Sequence, residues 1–170
     1  MTTSSGNREK AQSILKMAHI AQAPIDVQVV AEKLGFKVIP FAFPNQRKGM
    51  VVIQEDIKAI GINEKHPKTL QRYTVAHELG HYLNGHAHYE NQFIDDETKY
   101  YDHQFQQERE ADLFAAELLM PKDFLEKDLA QLGLDIPKLL EKYEVSEQAL
   151  WIRLTSLNLA EKYTSHTKKG

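Results

Sequence analysis

The chain has 170 residues and a mass of 19.5 kDa, with 42% hydrophobic and 26% charged residues, which suits one domain with its own core and excludes wholesale disorder. It contains no cysteine, so disulfides and thiolate ligands are excluded and any metal must be held by His, Asp or Glu. A formal charge of −3 and a pI of about 6.2 give no global attraction for nucleic-acid phosphates or acidic membranes. Residues 1–9 read as a disordered tail, 10–160 as a single domain and 161–170 as a C-terminal tail. The small polar start has no apolar signal segment behind it and no run long enough to span a bilayer, so a cytoplasmic location is expected.

Ile14, Leu15, Met17 and Ala18, with Ala11, give a helical spacing and predict a first helix that stops near Pro24. A second, short helix fits Val27 to Leu34, with Asp26 as its N-cap and Gly35 as its left-handed terminator. The period then changes. Phe36 to Phe43, Gly49 to Gln54 and Ile57 to Ile62 are β-branched or aromatic stretches with turns between them, and read as a three-stranded meander with an edge strand near Ile57 to Asn63. From Pro67 to Asn84-Gly85 the pattern is helical, with proline at the start, where its missing N–H costs little. Residues 87–102 are polar and acidic without a sustained period and read as a surface loop or lid. Phe105 to Met120 is helical up to Pro121, and Ala115 and Ala116 there would let another helix approach closely. Three more helical stretches follow, at Asp123 to Leu132, Ile136 to Tyr143 and Ser146 to Leu159. The sum is an α+β chain, a small three-stranded sheet with an active-site helix and several further helices.

The chemistry is concentrated in two blocks. His77-Glu78-Leu79-Gly80-His81 puts two imidazoles four residues apart on one helix face, the spacing that lets both bind one zinc ion, while Glu78 sits beside that face as a catalytic base. A chain of this composition would contain such a motif by chance only about 0.03 times. A catalytic zinc site usually has three protein ligands, so a downstream carboxylate is expected. Glu108-Arg109-Glu110-Ala111-Asp112 offers it. Glu108 is the expected third ligand because Asp112, one turn on, could accept a hydrogen bond from a ligand histidine and fix its orientation. Glu110 points roughly 200° around the helix from Glu108; it reads as a solvated acid at a helix start and stands as the runner-up ligand. His86 and His88 read as loop or surface residues. Tyr100, Tyr101 and His103 are candidates for stabilising an oxyanion. Manganese and iron accept the same donor set as zinc.

Gln71-Arg72-Tyr73-Thr74-Val75-Ala76 leading into the first block, and Glu108 through Leu119-Met120-Pro121 around the second, resemble the ImmA/IrrE family of metallopeptidases in order and spacing. The resemblance covers about residues 10–160, with the two blocks its specific part. It implies a compact zincin fold, zinc on His77, His81 and Glu108, catalysis by Glu78, and a protein substrate, typically a helix-turn-helix repressor in a mobile element or stress response. Asp112 stands where many members have Asn. In such an enzyme zinc lowers the pKa of water to about 7, and Glu78 would move its proton to the leaving amine.

Two rival readings remain at this level. The first is a metal-dependent module that masks a repressor without cutting it. The second is DNA binding by the helix–turn–helix outline of Ile136 to Leu159, which is less economical because Glu141, Glu144 and Glu147 crowd Lys138, Lys142 and Arg153. A packing hairpin built on Leu139, Leu140, Leu150, Trp151 and Leu154 is the simpler expectation.

Overall fold

A computed structural model describes residues 4–44, 47–86 and 97–164, with the backbone alone at 4 and 97–103. The elements run α1 (Ser4–Met17), α2 (Val27–Lys33), β1 (Lys37–Phe41), β2 (Gly49–Gln54), β3 (Ile57–Asn63), α3 (Lys68–Leu83), α4 (Glu97–Leu119), α5 (Lys122–Leu132), α6 (Ile136–Tyr143), α7 (Glu147–Ser156) and α8 (Leu159–Thr164). Among these described residues no helix is long and apolar enough to cross a membrane. The architecture is the expected α+β one.

Helix α1 begins at Ser4, so residues 4–9 are helical where a disordered tail was expected. Long-range polar contacts hold this end: Lys10 Nζ donates to the Leu83 carbonyl at 3.0 Å and to Asn84 Oδ1 at 2.6 Å, and Asn7, fully buried, donates to the Glu110 carbonyl at 3.4 Å. The helix ends at Met17, with His19 left-handed, well before Pro24. Asp26 caps α2 as expected, its Oδ1 accepting from the N–H of Gln28 and Val29, and Gly35 takes φ +82° just beyond it.

The sheet order is β1-β3-β2, with β1 parallel to β3 and β2 antiparallel to it. This corrects the meander. Glu55-Asp56 does close a tight hairpin between β2 and β3, with Gln54 opposite Ile57, but β1 lies on the far side of β3. The most buried strand takes the centre: Ile60, with no exposed surface, pairs with Val38 on one side and Val51 on the other. β3 is therefore not an edge strand; the edges are β1 and β2.

The sheet packs on α3, α3 packs on α4, and α1 closes over α4. Close approach is built in at two glycines. A Cβ on Gly49 would fall 2.4 Å from Thr74 Cγ2, so β2 can pass against α3 only without a side chain there. A Cβ on Gly80 would fall 2.9 Å from the Ala111 carbonyl oxygen and 3.0 Å from its Cα, so α3 and α4 can approach this closely at Ala111 only without a side chain at Gly80. The helix carrying Ala111 starts at Glu97, earlier than Phe105: the polar stretch 97–104 has no apolar stripe, but it holds no Gly or Pro and so can extend a helix anchored downstream. The rest of the expected loop, with His88, lies outside the described residues.

Among the C-terminal helices, α7 meets α4 through side chains. Leu139, Leu150 and Leu154 are fully buried, but Trp151 is 38% exposed, because 150, 153 and 154 form the inward face of α7 and 151 falls outside it. Arg153 is buried and reaches both oxygens of Glu117, at 3.1 and 2.6 Å, as well as the Met120 carbonyl at 3.0 Å. Lys142 and the Tyr143 hydroxyl both donate to buried Asp128. The left-handed Asn158 ends α7 at Ser156, and α8 extends through residues 161–164, where a tail was expected.

Candidate metal centre

His77, Glu78 and His81 lie in the C-terminal half of α3, the helix on which β2, β3 and α4 pack. The absence of a Cβ at Gly80 lets α4 come close enough for Glu108 to reach both histidines. His77, His81 and Glu108 form a group whose donor atoms all lie within 4.8 Å of one another and that could hold a metal ion. Glu108 Oε2 is 3.2 Å from His77 Nε2, Glu108 Oε1 is 3.2 Å from His81 Nε2, and the two Nε2 atoms are 3.0 Å apart. Glu110 is not in this group.

The donor chemistry fits a divalent cation. Asp112 Oδ1 accepts from His77 Nδ1 at 2.8 Å, so a neutral His77 presents the lone pair of Nε2 to the group, beside a carboxylate. Lone pairs packed this closely repel unless positive charge lies among them. Two imidazoles and one carboxylate match the donors of catalytic zinc sites, and Glu108, with its side chain 52% exposed, leaves one side open to solvent.

The surrounding charges are arranged around that group. Asp112 also accepts a hydrogen bond from the Tyr73 hydroxyl, one helical turn before His77. Burial opposes a charge on His77, but the Asp112 hydrogen bond and the charges of Asp112, Glu108 and Glu78 outweigh it and raise its pKa. Burial likewise works against the Asp112 carboxylate, and the bonds from His77 and Tyr73 overcome this, lowering its pKa. Tyr73 is pushed up by burial and then by Asp112. Glu78 is 9% exposed, and burial raises its pKa; His77 and Arg47 oppose that shift and Glu108 reinforces it.

Four contributors escape the sequence patterns. Tyr73 gives no signal beyond its place one turn ahead of His77. Arg47 and Lys48 bring positive charge to Glu78 and Asp112 from the segment before β2. His86 is the largest correction: rather than a surface residue it is half-buried, its side chain only 8% exposed, with Nδ1 3.2 Å from His81 Nδ1 and Nε2 3.0 Å from Glu110 Oε2. Glu110 accordingly is no solvated acid at a helix start: α4 begins well upstream and turns this carboxylate toward the end of α3. The side chains of Tyr100, Tyr101 and His103 lie outside the described residues.

Comparison with known proteins gives the family and the fold. The family model described as the IrrE N-terminal-like domain, Peptidase_M78, matches residues 31–155. No curated protein is similar enough in sequence to match the chain. Among solved structures, a Mycobacterium tuberculosis transcriptional regulator superposes with a TM-score of 0.68 at 15% identity, over 89% of this chain and 46% of that one. The likeness at this identity is one of fold, and the chain spans less than half of that protein. The family is of metal-dependent peptidase type, and the model match takes in both blocks that carry the His-His-Glu cluster. This chain belongs to the Peptidase_M78 family, the group that the ImmA/IrrE resemblance indicated.

Proposed function

We propose that the chain is a zinc metallopeptidase that hydrolyses a peptide bond in a helix-turn-helix repressor, with His77, His81 and Glu108 as metal ligands and Glu78 as the catalytic base. The observation that carries this reading is the convergence of the three ligand-type side chains beside a buried carboxylate of raised pKa. A bound zinc ion supplies Lewis acidity, polarising a carbonyl and making water acidic enough to lose a proton near neutrality. Glu78 accepts the proton of the attacking water as its oxygen bonds to the carbonyl carbon, then gives it to the amine nitrogen as the C–N bond breaks. Its burial suits that task, because a carboxylate that binds a proton more readily than a free one is the better base near neutral pH.

The open side of the centre and the edge of the sheet set the substrate's path. β2 is the edge strand that passes the centre: the Cβ position of Gly49 is 3.7 Å from Glu78 Oε1. An extended segment paired along β2 would bring its backbone toward Glu78, which favours linkers over folded helices. The repressor as substrate follows from the family resemblance.

The test is incubation of zinc-loaded protein with a candidate helix-turn-helix repressor, with fragment masses read beside Glu78→Gln. Fragments from the wild type and an about 10²–10⁴-fold slower reaction in the variant support the assignment. An intact repressor bound equally by both proteins replaces it with a masking module.

A further inference from the structure

His86 follows the end of α3, where Gly85 at φ +70° turns the chain so that the His86 N–H donates to the His81 carbonyl at 2.9 Å. That turn folds its imidazole back under the helix, between His81 and Glu110 of α4. The three groups make a line: Glu110 Oε2 to His86 Nε2 at 3.0 Å, then His86 Nδ1 to His81 Nδ1 at 3.2 Å. Beyond His81 the line reaches Nε2, which is 3.2 Å from Glu108.

Only one distribution of protons satisfies this line and leaves His81 able to bind a metal. An ionised carboxylate can only accept, so Glu110 requires a proton on His86 Nε2. A neutral His86 then carries its lone pair on Nδ1, and that nitrogen must accept. The donor is His81 Nδ1–H, which leaves His81 Nε2 as a lone pair directed at the cluster. We infer that His86 and Glu110 form a positioning relay that fixes the tautomer and ring orientation of His81, as Asp112 does directly for His77. Each histidine of the cluster is thereby oriented from behind by an acid of α4, one at 2.8 Å and one through an interposed imidazole. The relay also ties the exit of α3 to α4 through His86 and Glu110, and Asn7 of α1 donates to the carbonyl of the same Glu110. Neither His86 nor Glu110 touches substrate in this scheme; both act through His81.

The inference rests on the reading of His81 as a metal ligand, and its primary test is chosen to be independent of metal. An N–H···N hydrogen bond between two imidazoles transmits a scalar coupling between the nitrogens, which NMR of ¹⁵N-histidine-labelled protein detects. The expected result is coupling between His81 and His86 Nδ1, with the proton attached to His81, in the metal-free or the zinc-loaded protein or in both. No such coupling in either form, or a proton attached to His86 Nδ1 instead, overturns the relay. Coupling of the expected kind in a protein that takes up no zinc upholds the relay and overturns the metal reading.

Zinc affinity, measured by competition with a chelator, gives the second readout. Ligand-orienting neighbours of this kind typically contribute about 10–100-fold in metal affinity. His86→Ala is expected to lose affinity in that range. His86→Asn should recover most of it, because its Oδ1 stands near the place of Nδ1 and can accept from His81. A folded His86→Ala that binds zinc as tightly as wild type overturns the proposal; if that variant does not fold, the coupling in the unaltered protein decides.

Discussion

Helix α4 carries two carboxylate clusters of opposite character. Near its C-terminal end Glu117 is 4% exposed and held through both oxygens by Arg153, itself 4% exposed and further anchored on the Met120 carbonyl. Some two to three turns earlier Glu108 is half exposed and divides its oxygens between two imidazoles that have no fixed charge of their own. The first cluster is closed: its cation is a side chain, its geometry is bidentate, and both side chains are almost entirely buried. The second collects lone pairs where a substrate can approach. Two glutamates of one helix, nine residues apart, thus serve different ends, and what separates them is exposure together with whether the opposing group is a permanent cation.

If that contrast is right, damage to the two clusters should appear in different measurements. Arg153→Ala strips the closed pair of its cation and leaves Glu117 buried and charged, which should cost about 3–5 kcal/mol of unfolding free energy in urea titrations. Replacing both residues by Met should recover much of that loss, because an apolar pair of similar volume avoids the desolvation of both charges. Zinc affinity per folded molecule should be unchanged in the double variant; a drop would mean that the two clusters are coupled along α4.

The open cluster should behave in the reverse way. Zinc at a free concentration 100-fold above its Kd should stabilise the wild type by about 2.7 kcal/mol, and Glu108→Ala should abolish most of that gain while barely changing the stability of the metal-free protein. Gly80→Ala probes how the cluster is assembled. Its methyl group would press on the backbone of Ala111, an overpacking expected to cost about 1–3 kcal/mol, and it should weaken zinc binding too, because α4 must move and carry Glu108 with it. Lower stability with unaltered zinc affinity would show that Glu108 adapts independently of the helix contact.

The sequence made these clusters legible to different degrees. His77 and His81 share a helix face whose ends are marked by Pro67 and Asn84-Gly85, and Glu108 is paired one turn away with Asp112, so local spacing exposes them. Glu117 and Arg153 are 36 residues apart and meet only because α7 packs on α4; no periodicity connects them. His86 escapes for another reason. It lies past the helix end, where the 3.6-residue period no longer applies, and its burial depends on the turn at Gly85 and on an acid 24 residues away. The sheet repeats the lesson: β-branched runs locate the strands, but the placement of β1 beside β3 is a non-local pairing, and with it went the expectation that β3 was an edge.

The smallest expected effect concerns Glu78, which lies between the open cluster and the core. Burial raises its pKa in the folded protein above the value it has in the unfolded chain. For a group whose pKa is raised on folding, the stabilisation is complete below the unfolded pKa and is lost as pH rises through the folded one. Metal-free wild type should therefore lose stability relative to Glu78→Gln as pH increases through the region above the ordinary glutamate value, since glutamine is never ionised. Urea midpoints of the two proteins, measured in chelator from pH 4 to 7, read the difference directly. A difference that stays flat across that range would mean that solvent reaches Glu78 in the metal-free state, and would move this carboxylate from the closed side of the comparison to the open one.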